Sequence, residues 1–321
     1  MKIPYGYGYG LCLLLCCVTA QAQQYPAKPI RMIVAFAPGG TNDILARLVA
    51  QKLTDAFGQS FIADNRPGAG GNIGSDIVAK AAPDGYTLLL GSTGPHVINP
   101  HLYPKMPYDT LKDFSPITLV ARSNALLVMH PSIPAASVKQ LVALAKNGSR
   151  QLNYASSGNG SSGHLAGELF KTVAGIPMQH IPYKGNGPAF TDLVGGQIDL
   201  MFANKPGALP FVQSGKLKAI AITSAKRDSQ VPDIPTVAET LSGFEASSWW
   251  GVLGPPGLPP DIVEKLNSAI VRIISSPEMR ERILALGADP VTSSPQEFTA
   301  LIQNELVKYG HIVKRSGMKL E

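Results

Sequence analysis

The chain has 321 residues, 45% of them hydrophobic, and a formal net charge of +6 from 28 basic and 22 acidic side chains. That length and apolar content bury a substantial core and allow two domains. The basic excess is mild and scattered, with no aromatic interleaving and no nucleic-acid motif, so a nucleic-acid partner is not expected.

At the N-terminus, Lys2 precedes an apolar run over residues 11–20 and the pattern Ala20-Gln21-Ala22. This is the layout of a cleavable secretory signal, expected over residues 1–23. The run is shorter than a bilayer requires, so an exported mature chain without a membrane span is expected. Cys12, Cys16 and Cys17 are the only cysteines and all fall in the leader, which excludes disulfides and cysteine chemistry from the exported part. A lipid anchor on Cys16 is disfavoured, because Leu15 stands where such a signal wants a small residue.

The first strand-like run, 30–37, ends in Phe36-Ala37-Pro38-Gly39-Gly40-Thr41-Asn42-Asp43. The following helix carries Leu45, Leu48, Val49, Leu53 and Phe57 on one face. Two glycines at a strand-to-helix turn let the backbone point N–H groups outward, and the helix adds its positive dipole end. Such a turn suits an anion; a plain connection is the alternative. Further apolar runs of strand length lie at 87–90, 125–129, 198–202 and 217–222, and helical patterns at 138–146, 164–173, 259–274 and 295–315. Strands alternating with helices predict an α/β fold with parallel-rich sheets covered on both faces.

Polar, glycine-rich segments recur after these strands: Asn65-Arg66-Pro67-Gly68-Ala69-Gly70-Gly71-Asn72, Gly91-Ser92-Thr93-Gly94-Pro95-His96, Ser156-Ser157-Gly158-Asn159-Gly160-Ser161-Ser162-Gly163 and Tyr183-Lys184-Gly185-Asn186-Gly187. Ligands of parallel sheets sit outside the carboxyl ends of the strands, so these loops predict one polar cleft. Gly158 to Gly163 also matches G-x-G-x-x-G, but the region where a ribose-binding carboxylate belongs reads His180-Ile181-Pro182-Tyr183-Lys184. A dinucleotide is therefore not expected.

No phosphate-binding G-x-x-x-x-G-K-[ST] loop, nucleophile elbow or H-E-x-x-H helix occurs. His96, His101, His130, His164, His180 and His311 lack metal-ligand spacing. No catalytic centre, metal or cofactor is expected. His96 and His164 lie in or beside the polar loops and are candidates for the cleft. Trp249-Trp250 reads as core, or as a crossing segment that sets one ring against a ligand.

These segments, together with Pro83-Asp84-Gly85-Tyr86-Thr87-Leu88, His164-Leu165-Ala166-Gly167-Glu168-Leu169-Phe170 and Gly195-Gly196-Gln197-Ile198-Asp199, resemble the Bug family of solute receptors of tripartite tricarboxylate transporters, over essentially the whole mature chain. The resemblance implies a two-lobed, type II periplasmic binding-protein fold with chain crossings near Arg122 and Ala246. Lobe one is then 24–122 with 246–321, and lobe two 123–245. It further implies a periplasmic, monomeric, non-enzymatic receptor that grips a ligand carboxylate between two loops. On this chain the expected ligand-binding set is Phe36, Pro38, Gly39, Gly40, Thr41 and Asp43 from the first loop, Ser156, Ser157, Gly158 and Gly160 from the second, with Ser92, Thr93, His164, Lys184 and Gly185 beside them.

Many relatives carry an acidic residue where this chain has Ala203, followed by Asn204 and Lys205. With no carboxylate to meet an ammonium, and with Lys205 either facing the cleft or solvated, a dicarboxylate or an aromatic acid is expected in preference to an amino acid. The expected partners are the small carboxylate and the membrane subunits of a tripartite tricarboxylate transporter. The alternative is a sensor that signals to a kinase. An exported hydrolase is disfavoured by the lack of an activated nucleophile.

Overall fold

A computed structural model describes residues 25–148 and 150–320. The expected signal segment and the three cysteines lie outside the described residues.

In chain order the elements are β1 (Ile30–Val34), α1 (Thr41–Phe57), β2 (Phe61–Asn65), α2 (Asn72–Ala79), β3 (Thr87–Ser92), β4 (Ser115–Met129), α3 (Val138–Lys146), β5 (Asn153–Ser156), α4 (Ser162–Ala174), β6 (Gln179–Pro182), α5 (Asn186–Val194), β7 (Leu200–Asn204), α6 (Lys205–Gln213), β8 (Lys218–Ile222), β9 (Ser247–Gly254), α7 (Pro260–Ser275), α8 (Pro277–Ala285), β10 (Asp289–Pro290) and α9 (Pro295–Ser316). The class is α/β, as the alternation predicts.

The strands run in the order β2-β1-β3-β9-β4-β7-β5-β6, with β8 and β10 also on β4. The 15-residue β4 belongs to two sheets. Its first part, through Asn124, pairs antiparallel with β9. From Ala125 onward it pairs antiparallel with β7 and β8. The parallel neighbours β1–β2, β1–β3, β5–β6 and β5–β7 lie on either side of this antiparallel middle. Sequence periodicity marks only 125–129 of β4 and no strand at β9. Both are buried along nearly their whole length, which removes the alternation that betrays a half-buried strand.

Each helix buries one stripe on a sheet. Leu45, Val49 and Leu53 of α1 pack with Ile30, Met32, Leu266 and Ile270 on one face of the first sheet. Trp249, Phe298, Ile302 and Tyr309 pack on its other face. In the second sheet, Leu127, Tyr154, Phe170 and Phe202 form one core and Leu126, Val128, Phe190 and Met201 the opposite one. The caps are specified locally. Gly58, at φ 67°, ends α1, and Ser294 with Glu297 forms a capping box on α9.

Candidate functional site

The carboxyl ends of β1, β3, β5, β6 and β7 meet at one place, and four of them lead directly into helices. The resulting cavity is lined by the starts of α1 (Gly40, Thr41, Asn42), α4 (Ser161, Ser162), α5 (Asn186) and α6 (Asn204). Phe36, Ser92, Thr93, Gly94, Ser157, Ser248 and Trp250 complete the wall. None of these side chains is ionisable. Four helix N-termini place positive partial charge and amide donors around a space that holds no counter-charge of its own. Thr41 is 1% exposed, and its Oγ1 has no hydrogen-bond partner among the described residues. About 20 Å³ is open to the centres of water molecules. That is room for an ordered water while the halves are in contact.

The two halves of the molecule approach backbone to backbone. The Ala37 amide donates to the Lys184 carbonyl at 3.0 Å. A Cβ on Gly187 would lie 2.1 Å from the Pro38 carbonyl oxygen, and one on Gly70 would lie 1.9 Å from that of Asn159. Only glycine permits these contacts. A second cavity, of about 180 Å³, follows the seam and shares Phe36 and Ser157 with the first. Gly158, Asn159, Tyr183 and Lys184 line it.

Of the residues singled out in the sequence, the first cavity brings together Phe36, Gly40, Thr41, Ser92, Thr93, Ser157 and Asn204. Gly158 and Lys184 line the second. The others stand behind these walls. Asp43 accepts hydrogen bonds from the Gly39 amide, Arg47 Nε and Asn65 Nδ2 at 2.9–3.1 Å. Burial pushes the Asp43 carboxyl up, but those donors and the Arg47 charge outweigh burial and hold it below its ordinary value. Pro38 and Gly39 abut Gly187, and Gly185 lies against Ala37. The Ser156 hydroxyl is buried 2.6 Å from His180 Nε2. His164 stacks on His180 at 3.9 Å and accepts the Gly160 amide through Nδ1, so it supports the second loop from behind. His96 is also internal, with Nδ1 3.1 Å from the Ser92 carbonyl, which places the ring proton on Nδ1.

Lys205 departs from both expected placements. It neither faces the cavity nor meets solvent: it is completely buried and ion-paired with Asp228. Its stem lies against Gly287, and its partner stands 23 residues downstream, where nothing in the local sequence announces it. Ala203 is interior to β7 and faces the core.

Asn42, Gly94, Ser161, Ser162 and Asn186 also line the first cavity; they belong to the polar loops, but loop composition does not tell which side chain points inward. Trp250 is the ring that reaches the cavity, whereas Trp249 is core and donates Nε1 to Glu305 at 2.5 Å. Ser248 had no sequence signal.

The family model described as "Tripartite tricarboxylate transporter family receptor" matches residues 45–318. The chain is 40% identical over 302 residues to Protein BugT of Bordetella pertussis, covering 94% of this chain and 93% of that protein. Among solved structures, Rpa4515 of R. palustris with adipate superposes with a TM-score of 0.90 at 37% identity, covering 92% of this chain and 100% of the other. MatC from Rhodopseudomonas palustris with bound malate gives 0.86 at 34% identity, covering 90% and 100%.

Proposed function

Because the chain belongs to the tripartite tricarboxylate transporter receptor family, a family of solute-binding proteins and not enzymes, we propose that it captures a small organic acid, di- or aromatic, and hands it to the membrane subunits of such a transporter. The carrying observation is the convergence of four helix N-termini on a cavity whose lining side chains, among the described residues, are not ionisable. A carboxylate supplies the missing negative charge and accepts hydrogen bonds only.

Charge-assisted hydrogen bonds contribute about 1.5–3 kcal/mol each, so three or four, less the cost of immobilisation, correspond to micromolar binding near about −8 kcal/mol. An amino acid fits less well. Among the described residues no carboxylate lines the cavity to meet an ammonium group, and both Asp43 oxygens are already engaged. The lobes of this reading are 24–122 with 246–321, and 123–245. Support comes from β4, which changes sheet between Asn124 and Ala125, and from β9, which begins at Ser247. Residues 1–23 act as the export signal that takes the chain to the periplasm. The solved relatives carrying adipate and malate support a dicarboxylate.

Mass spectrometry of small molecules released from the exported protein, paired with a thermal-shift screen of organic acids, tests this proposal. An acid should both co-purify and raise the melting temperature; stabilisation by sugars or amino acids alone would refute it.

A further inference from the structure

Two hydroxyls in the cavity wall are held by donors from behind. Trp250 Nε1 donates to Asn42 Oδ1 at 3.2 Å, and Asn42 Nδ2 donates to Ser92 Oγ at 3.2 Å. The indole has no acceptor, so its N–H fixes the Asn42 amide with oxygen toward the ring and nitrogen toward Ser92. Ser92 Oγ thus already accepts one hydrogen bond. Its own proton has no protein acceptor among the described residues, and Ser92 lines the cavity. The neighbouring Thr93 Oγ1 is held in the same sense, accepting the Trp249 amide at 2.9 Å.

We propose that Trp250 and Asn42 are positioning residues that set the hydrogen-bond polarity of the site, fixing the Ser92 hydroxyl as a donor into the cavity so that the receptor takes an ionised carboxylate and disfavours its uncharged amide. The inference rests on the carboxylate reading above and adds the residues that enforce it. A serine left alone donates or accepts with equal ease and tells an acid from an amide poorly. A serine with an amide donor locked behind it has one lone pair engaged, so its proton, without a protein acceptor among the described residues, is turned to the guest. A carboxylate oxygen accepts that proton, whereas an amide NH₂ placed there meets donor against donor.

A double-mutant cycle tests the relay. The ligand is the tightest binder among adipate, malate, succinate, citrate and benzoate for the unmodified protein, read by calorimetry. Ser92→Ala and Trp250→Phe should each weaken binding about tenfold, the size of one hydrogen bond. The double variant should bind about as weakly as either single one, because phenylalanine keeps an aromatic ring at the wall and the lost indole N–H acts through Asn42 on Ser92. Independent losses multiplying to about a hundredfold, or a Trp250→Phe protein within about twofold of the original, would overturn the relay while leaving the carboxylate reading intact. If no acid binds the unmodified protein, that reading fails first and the relay falls with it. Trp250 is fully buried, so Asn42→Leu, on the half-buried first turn of α1, carries the same cycle with Ser92→Ala if Trp250→Phe does not fold.

Discussion

The backbone amide of Ala37 donates to the carbonyl of Lys184 at 3.0 Å, tying the loop after β1 to the loop after β6. This bond and the glycine contacts around it hold the two sets of helix N-termini on a common centre. Each set alone is a half-site with water on its open side. Facing each other, they exclude most of that water, and the electrostatic attraction for an anion grows as the effective dielectric falls. Ligand contacts on both sides of the seam therefore favour the joined form over a separated one.

Gly187 offers the sharpest test of that seam. A methyl group there would sit 2.1 Å from the Pro38 carbonyl oxygen, yet alanine suits a helix better than glycine by about 1 kcal/mol. Gly187→Ala should leave the melting temperature of the ligand-free protein unchanged or slightly higher while weakening acid binding at least about tenfold. Unaltered affinity in calorimetry would show that the contact is not needed for binding.

The Lys205–Asp228 pair separates structure from binding. Lys205 is wholly buried and Asp228 is not. Removing the carboxylate with Asp228→Asn strands an ammonium group away from water, at a cost of about 3–5 kcal/mol. Lys205→Met removes the buried charge itself and leaves a carboxylate able to reach solvent. Urea unfolding should therefore rank Asp228→Asn as the less stable of the two, with acid affinity in both variants within about threefold of the original. The reverse order would contradict the assignment of the buried member.

Three internal histidines make stability depend on pH. Burial holds His96 and His164 at about 4, and burial assisted by His164 and Lys171 holds His180 at about 2, against an ordinary 6.5. Above about pH 6.5 neither state binds these protons and the stability is complete. As pH falls from 6.5 toward 4 the unfolded chain takes protons that the folded chain refuses, so stability is lost by up to about 1.4 kcal/mol per pH unit for each histidine. Melting temperatures measured from pH 7.5 to 4.5 should fall, and His164→Gln should flatten the slope. A flat profile in the unmodified protein would show that these rings are not held neutral.

Much of this architecture was legible in residues 25–320. The turn Pro38-Gly39-Gly40-Thr41 and the loop from Ser156 to Ser162 announce themselves through glycine and hydroxyl content, and both reach the cavity walls. What escaped was whatever depends on direction or long range. Composition placed Asp43 and His164 near the site but not behind it, since a side chain's heading follows from helix phase and packing. It also left Lys205 open between cleft and solvent, because its partner Asp228 comes from a distant loop. The antiparallel junction of β4 with β9 hid its pattern by being buried on both faces.

Uncharged donors at converging helix starts are proposed to recognise a negative headgroup. Calorimetric titration of the exported protein with adipate and malate, each beside its diamide, tests it most directly. At least one acid should bind one-to-one, with a dissociation constant in the micromolar range, roughly −8 kcal/mol, and the matching diamide at least about a hundredfold more weakly. Equal affinity for acid and diamide, or heat from neither acid, would contradict it.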